Sequence, residues 1–261
     1  MALVSARFRQ IDIRLQEARL TKLTDFKALT FDCYGTLIDW ETGIWNALQP
    51  LLSEGGLTMG RDEALELFGR LETEQEVETP SLRYSSLLGV VHARMAKSWG
   101  VRVSADLHER FGLSVPDWPP FPDSAKALGY LKKHYKIIIL SNVDRTSFAA
   151  SNRKLGVNFD AVYTAEDIGS YKPDPRNFAY LLDHLRDNLG IAPSDVLHVA
   201  QSLHHDHVPA AKVGLARAWI DRRSGRPGGG ATPIPANVPT LDFVFKSLAE
   251  FADAHRAAVG S

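Results

Sequence analysis

Ala28-Leu29-Thr30-Phe31-Asp32-Cys33-Tyr34-Gly35-Thr36-Leu37-Ile38-Asp39 is the stretch on which the reading of this chain turns. It begins as a short apolar run suited to a buried strand and places a carboxylate where that strand ends. Gly35 follows three residues after Asp32, where a tight backbone turn needs it. In an open parallel α/β sheet, ligands bind beyond the carboxyl ends of the strands, which makes Asp32 the first candidate for chemistry. At this point the competing reading is an Asp that only forms a turn.

Downstream of that stretch, Ile44, Leu48, Leu51 and Leu52 recur at helical spacing, and Gly55-Gly56 closes the helix they predict over 40–54. Residues 61–100 read as two or three helices with a break at Thr79-Pro80-Ser81, where Ser81 is placed to cap the helix that follows. A short helix is expected over 105–111. The block 39–115 has no strand pattern and reads as a helical insertion. Pro116, Pro119, Pro120 and Pro122 then form a hinge.

Beyond the hinge the pattern alternates. Strands are expected at 136–140, 161–164, 196–200 and 216–220, with helices at 125–133, 146–154, 177–189 and 208–213. Such alternation implies βαβ units and a parallel sheet flanked by helices. Residues 224–240 read as an irregular loop of low order and 242–257 as a terminal helix. Residues 1–24 read as a peripheral arm or helix without an apolar core, unlike a signal peptide.

The 261 residues suit one large domain or two modest ones, and 44% hydrophobic with 23% charged content is ordinary for a globular protein. Thirty basic and thirty-one acidic side chains leave no electrostatic footprint for nucleic acid or a membrane surface. No run of about 18 apolar residues predicts a membrane span. Cys33 is the single cysteine, so no internal disulfide forms, and a reducing cytoplasm is the expected compartment. Beside Asp32 and without a paired His, Cys33 reads as a small buried residue.

Four strand ends finish on polar residues: Asp32; Ser141-Asn142; Lys172, in the loop after the third strand; and Gln201-Ser202 with Asp206. Each alone is ordinary turn chemistry. Together they bring a carboxylate, a hydroxyl and amide, an ammonium and a second carboxylate to one sheet edge. This ordered set, Asp32-x-Tyr34-Gly35-Thr36, Ser141-Asn142, Lys172-Pro173-Asp174-Pro175 and the loop ending at Asp206, resembles the haloacid dehalogenase superfamily over about residues 28–221.

The resemblance implies a Rossmann-like core over 25–38 and 116–261 and a helical cap over 39–115. It also implies that Asp32 is a nucleophile forming a covalent ester, which divides one difficult displacement into two easier steps. Thr36 and Ser141 would orient it or bind substrate charge. Lys172 would neutralise the charge gathered around two carboxylates, one of which would otherwise protonate.

Most members of the superfamily transfer phosphoryl groups with Mg²⁺, using a second Asp two residues after the nucleophile and another at the last motif. Here those positions hold Tyr34 and Gln201. A hard cation wants oxygen ligands that normally include carboxylates, so the metal-dependent phosphatase is the second reading. The form Asp-x-Tyr-Gly-Thr resembles instead the L-2-haloacid dehalogenase branch, which uses no metal or other cofactor. The implied reaction is displacement of halide from C2 of a small halogenated carboxylate by Asp32. The ester would then be hydrolysed by water activated near Asp206.

The implied catalytic set is Asp32, Thr36, Lys172 and Asp206. Substrate contacts are expected from Tyr34, Ser141, Asn142, Arg70, Gln201, Ser202 and His205. Departures from the branch are Gln201 and Leu203 in the last motif and Phe178 six residues after Lys172, where a Tyr is usual. The branch also places an Arg early in the cap to receive the halide. Arg70 is the nearest candidate and Arg83 the second. His204 or His205 could supply a base or halide contact in place of the missing polar groups. His204-His205-Asp206-His207 also carries zinc-type donors, but four consecutive residues are not expected to turn inward together, and no fourth ligand is evident. A catalytically silent binding protein is the third reading, and a homodimer is left open.

Overall fold

The computed structural model describes residues 21–224 and 230–260. The expected N-terminal arm therefore lies outside them except at its end, where Leu23–Asp25 forms one 3-10 turn. Six parallel strands make the sheet: β1 (Ala28–Phe31), β2 (Lys136–Ser141), β3 (Ala161–Thr164), β4 (Val196–Ala200), β5 (Ala216–Ile220) and β6 (Phe243–Phe245). Their order is β3-β2-β1-β4-β5-β6. Every residue of β1 and β4 is buried, as expected of central strands covered on both faces.

Between β1 and β2 lie four helices, α1 (Trp40–Glu54), α2 (Arg61–Glu78), α3 (Tyr84–Ser98) and α4 (Ala105–Gly112). Asp39 begins this block by accepting the backbone N–H of Thr42 at 3.1 Å. The remaining helices, α5 (Ser124–Leu131), α6 (Arg145–Leu155), α7 (Ala165–Ile168), α8 (Pro175–Leu189), α9 (Val208–Lys212) and α10 (Leu248–Gly260), alternate with the strands or follow β6.

One apolar cluster runs from Leu29, Phe31 and Ile137 on the sheet to Phe68, Leu87 and Phe111 in the insertion, so cap and core share a buried core. A second, built on Ile138, Leu140, Phe178 and Val196, covers the opposite sheet face.

The chain pairs β1 with β2 on one side and β4 on the other, which makes the end of β1 the point where strand order reverses and a crevice opens. Phe31 aligns with Ile139 and Val199, and the Asp32 N–H extends the ladder to the Val199 carbonyl at 3.2 Å. Asp32 thus emerges at the mouth of that crevice beside Ser141 and Ala200.

Three local expectations change. The N-cap of α3 is Arg83, without a side-chain cap bond, and Ser81 is exposed in the preceding turn. The segment 242–257 is not one helix: Phe243–Phe245 extends the sheet before α10 begins at Leu248. The loop expected to be of low order over 224–240 falls partly outside the described residues, and where described it buries Ala231 and Thr232.

Candidate active site

Asp32 stands at the end of β1 with both carboxylate oxygens engaged. Thr36 Oγ1 donates to Oδ2 at 2.8 Å, and Lys172 Nζ donates to Oδ1 at 3.0 Å. Gly35, at φ 90°, turns the chain sharply enough to bring Thr36 back onto Asp32. Thr36 Oγ1 is itself oriented by the backbone N–H of Gln201 at 2.9 Å, so the β4 end helps to hold the β1 end.

Lys172 is fully buried, and its ammonium also donates to Asp206 Oδ1 at 2.6 Å and to the Leu140 carbonyl at 2.9 Å. Its three N–H groups thus meet three acceptors. Although burial disfavours the ammonium, Asp206 and Asp32 hold the Lys172 pKa above its ordinary value. Burial would raise Asp206, but Lys172 and His198 keep it well below the usual carboxylate range. Asp32 lies above its ordinary value: burial raises it, Lys172 and Thr36 draw it back, and Asp206 pushes it up again. The buried carboxylate is held in place yet retains some basicity.

His198, in the middle of β4, was not among the expected site residues. Its Nε2 lies 3.0 Å from Asp206 Oδ1 and its Nδ1 2.8 Å from Thr30 Oγ1. The tautomer that satisfies both has Thr30 donating to Nδ1 and Nε2–H donating to Asp206. A lone His inside an apolar strand was the available signal.

Leu203–His207 forms a π-helical turn, and Ser202 Oγ accepts the His205 N–H at its start. The wider turn buries His205, Asp206 and His207, while His204 stays half-buried, so the four consecutive residues do not all turn inward. The rings diverge, however. His207 Nε2 donates to the Ala200 carbonyl at 2.9 Å, while His205 lines the crevice with its Nε2 unpartnered. Burial drives the His205 pKa down to about 3, so its imidazole is neutral.

The crevice is a small cavity of about 40 Å³. Asp32, Tyr34, Ser141, Asn142, Lys172, Ser202, His205 and Asp206 line it, so eight expected site residues come together. Tyr34 presents its ring to the cavity and turns its hydroxyl to Ser151 Oγ at 2.9 Å. Asn142 clamps the loop before α8: Oδ1 accepts the Lys172 N–H at 2.7 Å, and Nδ2 reaches the Lys172 carbonyl at 2.9 Å.

Three expected contacts do not reach this cavity. Arg70 pairs with Glu74 at 3.2 Å on an exposed face of α2 and lines a separate groove beside Ala231. Arg83 pairs with Glu166 at 3.2 Å and is about half exposed. Gln201 turns its side chain behind the β1 loop, where Oε1 accepts from Thr232 Oγ1 at 3.3 Å. The cap instead brings Glu72 and Glu76, both buried, which the sequence reading did not single out.

The superfamily's Mg²⁺ finds no matching donor set. Tyr34 and Gln201 replace two carboxylates, and no three His, Cys, Asp or Glu side chains among the described residues are placed to share an ion.

Comparison with known proteins gives this constellation a context. A family model described as haloacid dehalogenase-like hydrolase matches residues 26–212. The chain is 26% identical to (S)-2-haloacid dehalogenase 4A of Burkholderia cepacia, over 86% of this chain and 95% of the relative. It is 29% identical to the (S)-2-haloacid dehalogenase of Xanthobacter autotrophicus, over 76% of each. Among solved structures, an L-2-haloacid dehalogenase from Xanthobacter autotrophicus superposes with a TM-score of 0.72 at 21% identity, covering 88% of this chain and 98% of that one. The family model spans the strand carrying Asp32, the helical insertion, Lys172 and the turn carrying Asp206. This chain belongs to the haloacid dehalogenase-like hydrolases.

Proposed function

We propose that this hydrolase removes halide from a small 2-halo carboxylate. The observation that carries the reading is the Lys172 bridge. One ammonium gathers Asp32 and Asp206, while Tyr34 and Gln201 contribute no charge. The similarity to named (S)-2-haloacid dehalogenases points the same way.

An Asp32 carboxylate oxygen attacks C2 of the substrate, the carbon–halogen bond breaks, and halide leaves with the bonding electrons. The product of this step is an ester between Asp32 and C2. Water, oriented beside Asp206, then attacks the Asp32 carbonyl carbon. The bond between that carbon and the former Asp32 oxygen now joined to C2 breaks. Asp206 passes a proton from the water to the departing alkoxide, freeing a 2-hydroxy acid. The second proton goes to solvent as the Asp32 carboxylate is restored with the water's oxygen. Thr36 and Lys172 hold Asp32 for the attack, which is worth most when the reacting atoms are already aligned. His198 fixes Asp206 from behind through its imidazole.

Halide release from bromoacetate in the presence of a chelator tests the activity, and a single turnover in H₂¹⁸O tests the route. Wild-type protein should release bromide and take the label into Asp32 rather than into product, while Asp32→Asn should lose about 10³-fold or more in rate. Label in the product would exclude the ester. Phosphate release that requires Mg²⁺, with no halide release, would replace the reading with the phosphatase one.

A further inference from the structure

Lys172 is the only cation lining the cavity among the described residues, and its ammonium is consumed by Asp32, Asp206 and a carbonyl. A substrate carboxylate therefore enters a cavity that already holds two carboxylates and offers it no free positive charge. Glu72 and Glu76 sit four apart on α2, so both project from one face toward the same cavity. Asn142 Nδ2 donates to Glu76 Oε1 at 3.0 Å, and Tyr84 Oη donates to Glu72 Oε1 at 2.6 Å. Asn142 adjoins Ser141, whose buried Oγ has no partner and lines the same cavity. The unpartnered His205 Nε2 lies 3.9 Å from Glu76 Oε2. A hydroxyl, an imidazole nitrogen and a carboxyl thus line one small cavity.

We propose that Glu76, backed by Glu72, is held as a carboxylic acid when substrate binds and donates a hydrogen bond from Oε2 to the substrate carboxylate beside Ser141. A neutral acid then gives the substrate carboxylate a hydrogen-bond donor in a cavity whose one ammonium is already engaged. The inference rests on the reading of the substrate as a 2-halo carboxylate. The surroundings favour the proton. Of the titratable groups facing the pair, Tyr84 and Tyr171 stay neutral, His205 is neutral, and Asp32 and Asp206 line the same cavity. The Asn142 hydrogen bond and Lys172 oppose at Glu76, and the Tyr84 hydrogen bond opposes at Glu72. Burial first, and for Glu76 the neighbouring Glu72 next, push both pKa values up, Glu72 to about 8.

Calorimetric titration with glycolate, the hydroxy acid of the smallest substrate, tests this without turnover. Run between pH 7 and 9 in buffers of different ionisation enthalpy, it should show proton uptake that grows with pH. Affinity should fall by up to about tenfold per pH unit above the pair's titration. Uptake should persist in Asp32→Asn, which removes the carboxyl outside the Glu72–Glu76 pair that burial also raises. It should vanish in Glu76→Gln and for glycolamide on wild-type protein, the second arm standing even where the variant fails to fold. Glycolate binding without proton uptake, uptake unchanged in Glu76→Gln or with glycolamide, or no glycolate binding at any pH would each overturn the proposal. Bromide release that depends on Asp32 but shows none of this linkage would leave the dehalogenase reading standing and remove only the role of Glu76.

Discussion

Lys172 decides the electrostatics of the site at the scale of one residue. Its buried ammonium compensates two buried carboxylates, so Lys172→Met leaves Asp32 and Asp206 without a counter-charge. Breaking a buried pair in this way costs about 3–5 kcal/mol. The pH dependence has a definite sign. In the wild type, Asp206 is depressed, so its contribution is present above the unfolded value of 3.8 and is lost on acidification. In Lys172→Met both carboxyls should rise above their unfolded values, and stability is lost as pH climbs through the raised values. Urea unfolding should therefore find the variant closer to wild type at pH 5 than at pH 8, with halide release abolished at both. A deficit of equal size at the two pH values would show that Lys172 is held for packing alone. The positions of Asp32 and Ser141 were legible in the sequence because each ends a short apolar run, whereas Lys172 and Asp206 lie beyond the ends of their strands and drew their roles only from the family resemblance. The placement of the two arginines was not legible. On an amphipathic helix a charged residue reads alike whether it faces solvent, as Arg70 does, or a site.

Among the elements, α2 breaks the pattern that makes helices readable. Ala64, Leu65, Phe68 and Leu71 form its buried stripe, and Glu72, Gln75 and Glu76 continue that stripe at the same spacing. Carboxylates on the extension of an apolar face were the missed signal, because composition alone assigns Glu to the solvent side. The π-helical turn was missed for a related reason: five residues are too few for a period to show, and it buries His205, Asp206 and His207 against different partners rather than on one face. The α2 anomaly has a measurable cost. Burial raises Glu72 from 4.5 to about 8, so its contribution to stability is present below 4.5 and is lost as pH rises through about 8. A glutamine side chain in its place would carry no charge and could still accept from Tyr84. Thermal or urea unfolding should therefore show Glu72→Gln gaining on wild type between pH 5 and pH 9, on the order of 3 kcal/mol. A difference that stays constant with pH would mean that Glu72 is not buried as a titrating acid.

For the whole molecule, strand–helix alternation made the parallel sheet and the helical insertion readable, while contacts between distant segments were not. β6 is only three residues long at the sheet edge, too short for a periodic pattern to stand out. The segment after residue 229 carries Pro233, Pro235 and Pro239, and nothing local says that it docks on the cap. Yet Ala231 lies against Gly69 of α2, and the adjacent Thr232 reaches the active-site cavity. A Cβ at Gly69 would stand 2.1 Å from the Ala231 carbonyl oxygen, which belongs to backbone and cannot swing aside as a side chain would. Gly69→Ala should therefore push the 230–232 segment off the cap and destabilise the protein by about 1–3 kcal/mol. Because Thr232 moves with it, KM for a haloacetate should rise several-fold while kcat, set by Asp32 and Lys172, changes little. Gly129→Ala in α5 is the matched control. Nothing lies within 4 Å of its added Cβ, so helix propensity should make it neutral to stabilising by up to about 1 kcal/mol, with unchanged kinetics. Thermal melts, halide-release kinetics and amide exchange over 230–234 on the two variants test the point together. If Gly69→Ala matched Gly129→Ala in all three, the cap would not depend on this segment, and closure of the cavity would have to rest on the shared apolar core alone.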